Sequence, residues 1–236
     1  MSAEPEPPLR VAVVIPVFNE RDSLPRVVAD IPRANVREIV VVDNGSTDDT
    51  PLVARELPVR LVREARRGYG SACLAGIAAL EASPPDVVVF LDGDYSDHPE
   101  ELPLLTGAIS AGADLVIGSR MLGKREPGAL LPQARFGNAL ACFLIRLLFG
   151  HRYTDLGPFR AIRWEALRAL EMEDRNFGWT VEMQVKALRK GLRVAEVPVS
   201  YRRRVGVSKI TGTVRGTVKA GGKILWTIAR YGIGGR

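Results

Sequence analysis

Residues 87–101 read VVVFLDGDYSDHPEE: an apolar run that ends on two carboxylates, Asp92 and Asp94, with one glycine between them. Asp97, Glu100 and Glu101 follow within seven residues. Clustered carboxylates repel one another and need a compensating cation or good solvation. An isolated D-G-D is most simply a solvated turn before an acidic helix start. A D-x-D at the end of a buried strand is also a natural seat for Mg²⁺ or Mn²⁺, whose oxygen ligands a bound diphosphate can complete. The surrounding sequence decides between these readings.

Upstream, the chain alternates. RVAVVIPVF (10–18) is a short β-branched run closed around Pro16, and REIVVVD (37–43), VRLVR (59–63) and DVVVFLD (86–92) repeat the pattern, with ADLVIGS (113–119) as a fifth strand. Helical stretches separate them, at about 22–31, 47–57 and 71–82 and after Pro99, with Pro25 and Pro51 in first turns where a missing N–H does no harm. Strand and helix in alternation with short connections predict an α/β fold with a mostly parallel sheet covered on both faces. Ligands of such sheets bind outside the carboxyl ends of the strands. Here those ends carry Pro16-Val17-Phe18-Asn19-Glu20, Asp43-Asn44-Gly45-Ser46, Asp92-Gly93-Asp94 and Gly118-Ser119-Arg120. Four polar constellations at equivalent positions move the balance toward one shared site. Asp43 either accepts hydrogen bonds from a base or ribose or caps its own turn. ARRGYGSA (65–72) places Gly68 and two arginines at a helix start, where anions are favoured, although a lone G-x-G is often only a turn.

After Arg120 the alternation fails. KREPGALLP (124–132) reads as a loop, QARFGNALACFLIRLLFG (133–150) as a helix apolar around most of its circumference, 164–170 and 179–190 as shorter helices, and LRVAEVPVS (192–200) as a late strand. Two cysteines in apolar stretches without metal-ligand spacing point to reduced core residues more than to a disulfide framework, and two histidines point away from histidine-rich metal chemistry. No uninterrupted apolar stretch reaches the roughly 20 residues of a spanning helix. The first ten residues carry no apolar leader segment. The net charge is +6, and from Arg202 onward there is no Asp or Glu, which suits a polyanionic partner.

The ordered set VVIPVFNE, VVDNGSTDDT, RGYGSACLAGI, FLDGDYSDHPEEL and LVIGSR resembles a family-2 glycosyltransferase of the GT-A fold. TDLGPFRAI, FGWTVEMQVKALRKGLRVAEVPVSY and RRVGVSK are similar to the polyprenyl-phosphate sugar transferases of the dolichyl-phosphate mannose synthase type, so the likeness runs from about Val11 to Lys209. It implies an inverting, metal-assisted transfer from a nucleoside-diphosphate sugar, UDP- or GDP-linked, to a polyprenyl phosphate, in cell-envelope glycan synthesis. By matching motif, Pro16, Phe18, Glu20, Asp43, Gly68, Asp92 and Gly93 would surround the nucleotide. Asp92 and Asp94 would hold Mg²⁺ or Mn²⁺, with Ser96 standing where those synthases commonly carry glutamine. Arg120, Arg135, Arg203, Ser208 and Lys209 match the basic residues around the diphosphate and the acceptor phosphate. An acceptor phosphate needs no strong base. A hydroxyl acceptor does, and Glu182 or Asp155 would then take its proton, each being otherwise structural or a sugar ligand. Trp179 either stacks on a sugar or belongs to the core.

The expected organisation is a disordered tail (1–9), a transferase domain (10–210, nucleotide-sugar half 10–120 and acceptor half 121–210) and a C-terminal helix (211–236). In that helix Arg215, Lys219, Lys223 and Arg230 fall on one arc, Val214, Val218, Ile224, Leu225 and Ile228 on the other side, and Trp226 at the border. It is either an interfacial membrane element or a docked tail with a solvated basic face. The expected setting is cytoplasmic, with contact at the inner face of the cytoplasmic membrane. Nucleic acid is not expected as a partner, because aromatic-rich basic platforms are missing. Transfer to a glycan or small-molecule hydroxyl, and non-catalytic nucleotide binding, remain the alternatives.

Overall fold

Valine- and isoleucine-rich runs become strands because a branched Cβ packs well on a pleated, buried surface. The computed structural model describes residues 8–34, 36–206 and 214–233, with the backbone alone for 214–220 and 233. Most of the expected N-terminal tail therefore lies outside the described residues. The five expected strands are present as β1 (Val11–Val17), β2 (Val36–Asp43), β3 (Arg60–Arg63), β4 (Val87–Phe90) and β5 (Leu115–Ser119), and the late strand is β7 (Val194–Pro198). One strand was not expected: Arg160–Arg163, β6. The sheet order is β3-β2-β1-β4-β6-β5-β7. Only β6 is antiparallel, paired with β4 on one side and β5 on the other, so the sheet is mostly parallel, as expected.

The sequence of β6, RAIR, hides it, because Arg160 has a charged side chain in the middle of a buried layer. That guanidinium is fully buried and donates to the carbonyls of Thr180, Leu156 and Gly157. Its terminal nitrogens are therefore satisfied by backbone carbonyls, while its buried Nε has no hydrogen-bond partner among the described residues.

Successive β1 residues point to opposite faces, and both faces are covered. Val13 and Ile15 join a core with Val41 and Val89 under α1 (Leu24–Asp30), α2 (Thr50–Glu56) and α4 (Leu102–Ser110). Val14, Val42 and Phe90 face α3 (Tyr69–Leu80), with α5 (Pro132–Phe149), α6 (Trp164–Leu170) and α7 (Trp179–Arg189) beyond it. The last helix, α8 (Val214–Ile233), packs on α5 and α7 and buries Ile228 in that second core. Trp179 resolves to the core reading: it is 1% exposed and sits edge-on to Phe90, with ring centroids 5.9 Å apart.

Helix α3 lies unusually close to the sheet at Gly76, where a Cβ would overlap Val14 Cγ1 and crowd Val42 Cγ2. Gly76→Ala gains helix propensity of about 1 kcal/mol, yet overpacking of this kind costs about 1–3 kcal/mol. The expected result is a net destabilisation with an unchanged denaturant slope in urea unfolding. A variant as stable as the wild type would show that α3 can lift off without penalty.

Candidate active site

The carboxyl ends of β1, β2 and β4 open into a cleft of about 430 Å³. Pro16, Phe18, Glu20, Gly68, Asp92, Gly93 and Asp94, all expected there, line it. Phe18 is capped by the Arg67 guanidinium, 3.8 Å from the ring centre. Asp43 is not among the lining residues. Its Oδ1 accepts the Ser46 N–H at 3.0 Å, so it caps its own turn. Its neighbour Asn44 reaches the cleft instead, with its amide donating to the Glu64 and Arg66 carbonyls and accepting from Gly68 N–H.

The G-x-G also has a local purpose. Gly68 has φ +139°, and a Cβ at Gly68 or Gly70 would overlap the carbonyls of Arg175 and Asp174. Ser71 N–H, in the first turn of α3, donates to Arg175 O at 3.0 Å. The two glycines thus admit the 174–176 loop, which brings Asn176 and Phe177 to the cleft wall. Their contribution was invisible in sequence, because they are more than a hundred residues from Gly68 along the chain.

Three carboxylates gather below the cleft. Asp94 Oδ1 accepts from Ser96 N–H (2.9 Å) and Oγ–H (2.5 Å), while its Oδ2 pairs with Arg204 at 2.9 Å. Asp92 Oδ1 and both Asp97 oxygens are buried without a hydrogen-bond partner among the described residues. Burial first, then the charge of Asp94, pushes the Asp92 pKa up from 3.8 to about 7, with Arg204 and Arg120 pulling the other way. Burial likewise holds the Asp97 carboxyl well above its ordinary range, with Asp92 and Asp94 adding to it. An orphaned oxygen on Asp92 beside an ion-paired Asp94 suits a hard divalent cation. Among the described residues no three His, Cys, Asp or Glu converge as a complete protein-only metal site.

Arg204 is the residue that sequence reading missed. In RRRVGVSK the matched motif points to Arg203. The structure turns Arg203 outward, its Nε donating to Pro127 O and its N–H to Glu126 Oε2, and gives the cleft to Arg204. Ser208 and Lys209 lie outside the described residues. Arg135 is exposed on α5 and does not line the cleft.

The two candidate bases are both committed elsewhere. Asp155 is fully buried and holds Arg120 through a bidentate pair: Nε to Oδ2 and Nη2 to Oδ1, each 2.8 Å. It also accepts the Arg120 backbone N–H at 2.8 Å. Burial alone would lower the Arg120 pKa, but Asp155 raises it overall. Glu182 is also fully buried and receives the N–H groups of Glu173 and Asp174, the Lys186 ammonium and the Tyr231 hydroxyl. It fastens the 173–174 loop to α7 and α8, and it is absent from the cleft lining. For both carboxylates these contacts fit the structural alternative to a proton-accepting role. Each has its acceptor capacity filled by structure.

A parallel-type sheet with a nucleotide-sized cleft at its strand ends, floored by a D-x-D, defines a GT-A fold. The comparisons carry this to a family. Residues 12–170 match Glycosyl transferase family 2, and the chain belongs to that family. An uncharacterised glycosyltransferase of Mycobacterium tuberculosis is 41% identical over 89% of this chain and 94% of its own length. A polyprenol monophosphomannose synthase of Mycolicibacterium smegmatis is 32% identical (98% and 89% covered), and an undecaprenyl-phosphate mannosyltransferase of Micrococcus luteus 33% (97% and 96%). The fold is similar to that of glucosyl-3-phosphoglycerate synthase from Mycobacterium tuberculosis, solved with Mn²⁺, UDP and glucosyl-3-phosphoglycerate. There the TM-score is 0.76 at 23% identity, covering 95% of this chain and 80% of that one. The protein is thus an enzyme that uses a nucleotide sugar.

Two measurements probe this electrostatics. Asp155→Asn leaves Arg120 buried without its partner, so a stability loss of about 3–5 kcal/mol is expected in urea unfolding. A loss under about 1 kcal/mol would mean that Arg120 finds water. For Asp92, the folded pKa lies above the unfolded one. Its contribution therefore favours folding below about pH 4 and is lost as pH rises through about 7. Without metal, the melting temperature of Asp92→Asn should climb relative to wild type between about pH 5 and about pH 8. A constant gap would show that Asp92 is not strained in its charged form.

Proposed function

We propose that this family-2 glycosyltransferase transfers a hexose from a nucleoside diphosphate to a polyprenyl phosphate, with inversion at the sugar carbon. The observation that carries the acceptor class is the engagement of Asp155 and Glu182. A hydroxyl acceptor needs a carboxylate free to take its proton, whereas a phosphate monoester arrives already anionic. The polyprenyl- and undecaprenyl-phosphate transferases among the relatives support the same reading.

The donor's base and ribose would lie along Pro16, Phe18, Glu20 and Asn44, with the Phe18–Arg67 stack as one wall. Asp92 and Asp94 would hold Mg²⁺ or Mn²⁺, which neutralises charge on the departing diphosphate when bound. Arg204 already pairs with Asp94 and is within reach to follow the diphosphate as negative charge builds on it. Ser96 fixes one oxygen of Asp94 and so leaves the other to the cation side of the cleft. Arg120 acts through position: locked to Asp155 and 5.0 Å from the Tyr201 ring centre, it adds fixed positive potential behind the carboxylates.

The test offers UDP-glucose, UDP-N-acetylglucosamine and GDP-mannose with Mn²⁺ or Mg²⁺, with and without a short polyprenyl phosphate, and counts released nucleotide. Release that requires the lipid phosphate, and that falls by about a hundredfold or more in Asp94→Ala, is expected. Release indifferent to the lipid phosphate would replace it with a hydroxyl acceptor.

A further inference from the structure

Arg204 reaches the carboxylates of the cleft from a stretch without regular secondary structure, since residues 202–206 follow Tyr201 as irregular backbone. An arginine carried on such backbone loses much conformational freedom when it is held in one place. Two main-chain bonds do part of the holding. Arg202 N–H donates to Ser96 O and Val205 N–H to Asp94 O, each at 2.9 Å. The segment thus runs alongside residues 94–97, which begin with the second carboxylate of the D-x-D.

The three consecutive arginines have three different surroundings. Arg203 is exposed and bound to Pro127 and Glu126. Arg204 pairs with Asp94. Arg202 belongs neither to solvent nor to the cleft: its side chain is 16% exposed, and it is absent from the cleft lining. Its guanidinium carbon lies 3.6 Å from the ring centre of Tyr95. Nε and Nη2 both donate to Asp97 O, at 3.3 and 3.0 Å. Asp30 and Glu100 complete the shell, with their carboxylates 3.8 and 3.6 Å from Nη2.

Tyr95 is itself fixed. It directly follows Asp94, and its φ of +62° is a left-handed conformation uncommon for a residue with a bulky side chain. Its hydroxyl donates to Asp30 Oδ2 of α1 at 2.6 Å. The ring does not line the cleft. It serves instead as a platform for Arg202, whose planar guanidinium can stack and donate at once, a combination that lysine lacks.

We propose that Arg202 is a positioning residue for phosphate recognition. Stacked on Tyr95 and bound to Asp97 O, it fixes the 202–205 backbone so that Arg204 stands at the D-x-D, where the terminal phosphate of a nucleoside diphosphate would lie. Among the described residues Arg202 makes no hydrogen bond or ion pair with Asp92 or Asp94, so its effect on the ligand passes through Arg204. This role rests on the reading that Arg204 serves the diphosphate.

Calorimetric titration of the full chain with UDP and UMP, and with GDP and GMP, in the presence of Mn²⁺ tests it. The preference for diphosphate over monophosphate isolates the terminal phosphate from base and ribose. Arg204→Ala is expected to lower that preference about tenfold or more, and Arg202→Met to lower it to a similar level. The double variant should be no worse than Arg204→Ala alone, because residues acting through one contact are not additive. Arg202→Lys, which keeps the charge without the stack, should restore little. Tyr95→Asn removes the platform while suiting the left-handed backbone, and it should reproduce Arg202→Met. It decides the matter where Arg202→Met does not fold. Equal losses for mono- and diphosphate in Arg202→Met and Tyr95→Asn would overturn the proposal by making the stack merely structural. Additive losses in the double variant would overturn it by giving Arg202 a contact of its own. A preference unchanged in Arg202→Met but reduced in Arg204→Ala overturns the positioning role alone. A preference unchanged in Arg204→Ala overturns the diphosphate role of Arg204, and that of Arg202 with it.

Discussion

The bidentate pair between Arg120 and Asp155 ties the end of β5 to the segment between α5 and β6. Arg120 directly follows β5, and Asp155 lies in that connecting segment. Neighbouring groups of that segment are held by three further elements. Asn138 of α5 takes Thr154 O and Leu156 N–H, Gln184 of α7 donates to Asp155 O at 3.0 Å, and Glu196 of β7 accepts from Thr154 and Asp155 N–H. Removing two charges from water is costly. Here the cost is offset by the bidentate hydrogen bonds between the two groups, by the Arg120 and Leu156 N–H groups that also donate to Asp155, and by the placement these impose on the surrounding elements. The pair sits just behind the D-x-D, so the same contact that fixes the architecture also sets the local potential.

Charge balance in the cleft follows from that arrangement. Burial first, and then the charge of neighbouring carboxylates, holds Asp92 and Asp97 above their ordinary range, and Arg204 reaches this cluster from the solvent side. A binding site that stores unfavourable carboxylate repulsion gains more from a divalent cation than a relaxed one would. Arg204 reaches it from a backbone pinned next door, where Val205 N–H donates to Asp94 O at 2.9 Å. The basic segment and the carboxylates are therefore coupled through both side chain and main chain.

Much of this was legible in the sequence, and the exceptions have physical reasons. The parallel strands announced themselves through branched apolar runs, and their polar ends through proline, glycine and carboxylates, because local pattern and tertiary role coincide there. β6 did not, since Arg160 breaks the apolar pattern, and the carbonyls that take its terminal nitrogens are visible only in the folded chain. For Asp43 and Glu182 a ligand or acid–base role stood open beside a structural one, because sequence shows a carboxylate but not what fills it. One turns out to cap a turn and the other to knot a loop. Arg203 and Arg204 are adjacent and chemically identical, so only the folded structure could assign one to solvent and the other to the cleft. Asn176 and Phe177 gave no signal, because their importance depends on two glycines elsewhere in the chain.

The position of β6 has a consequence for how the chain is made. β1 to β4 can pair as they emerge from the ribosome, since each has a partner within that set and only the second edge of β4 waits for β6. β5 cannot, because its neighbours on either side, β6 and β7, are both synthesised after it. Until residue 163 has emerged, the free edge of β4 and all of β5 are unpaired, apolar and open to neighbouring nascent chains, a known liability of strand edges. The antiparallel insert thus divides synthesis into an N-terminal piece that can settle early and a C-terminal piece that must wait for its last strand.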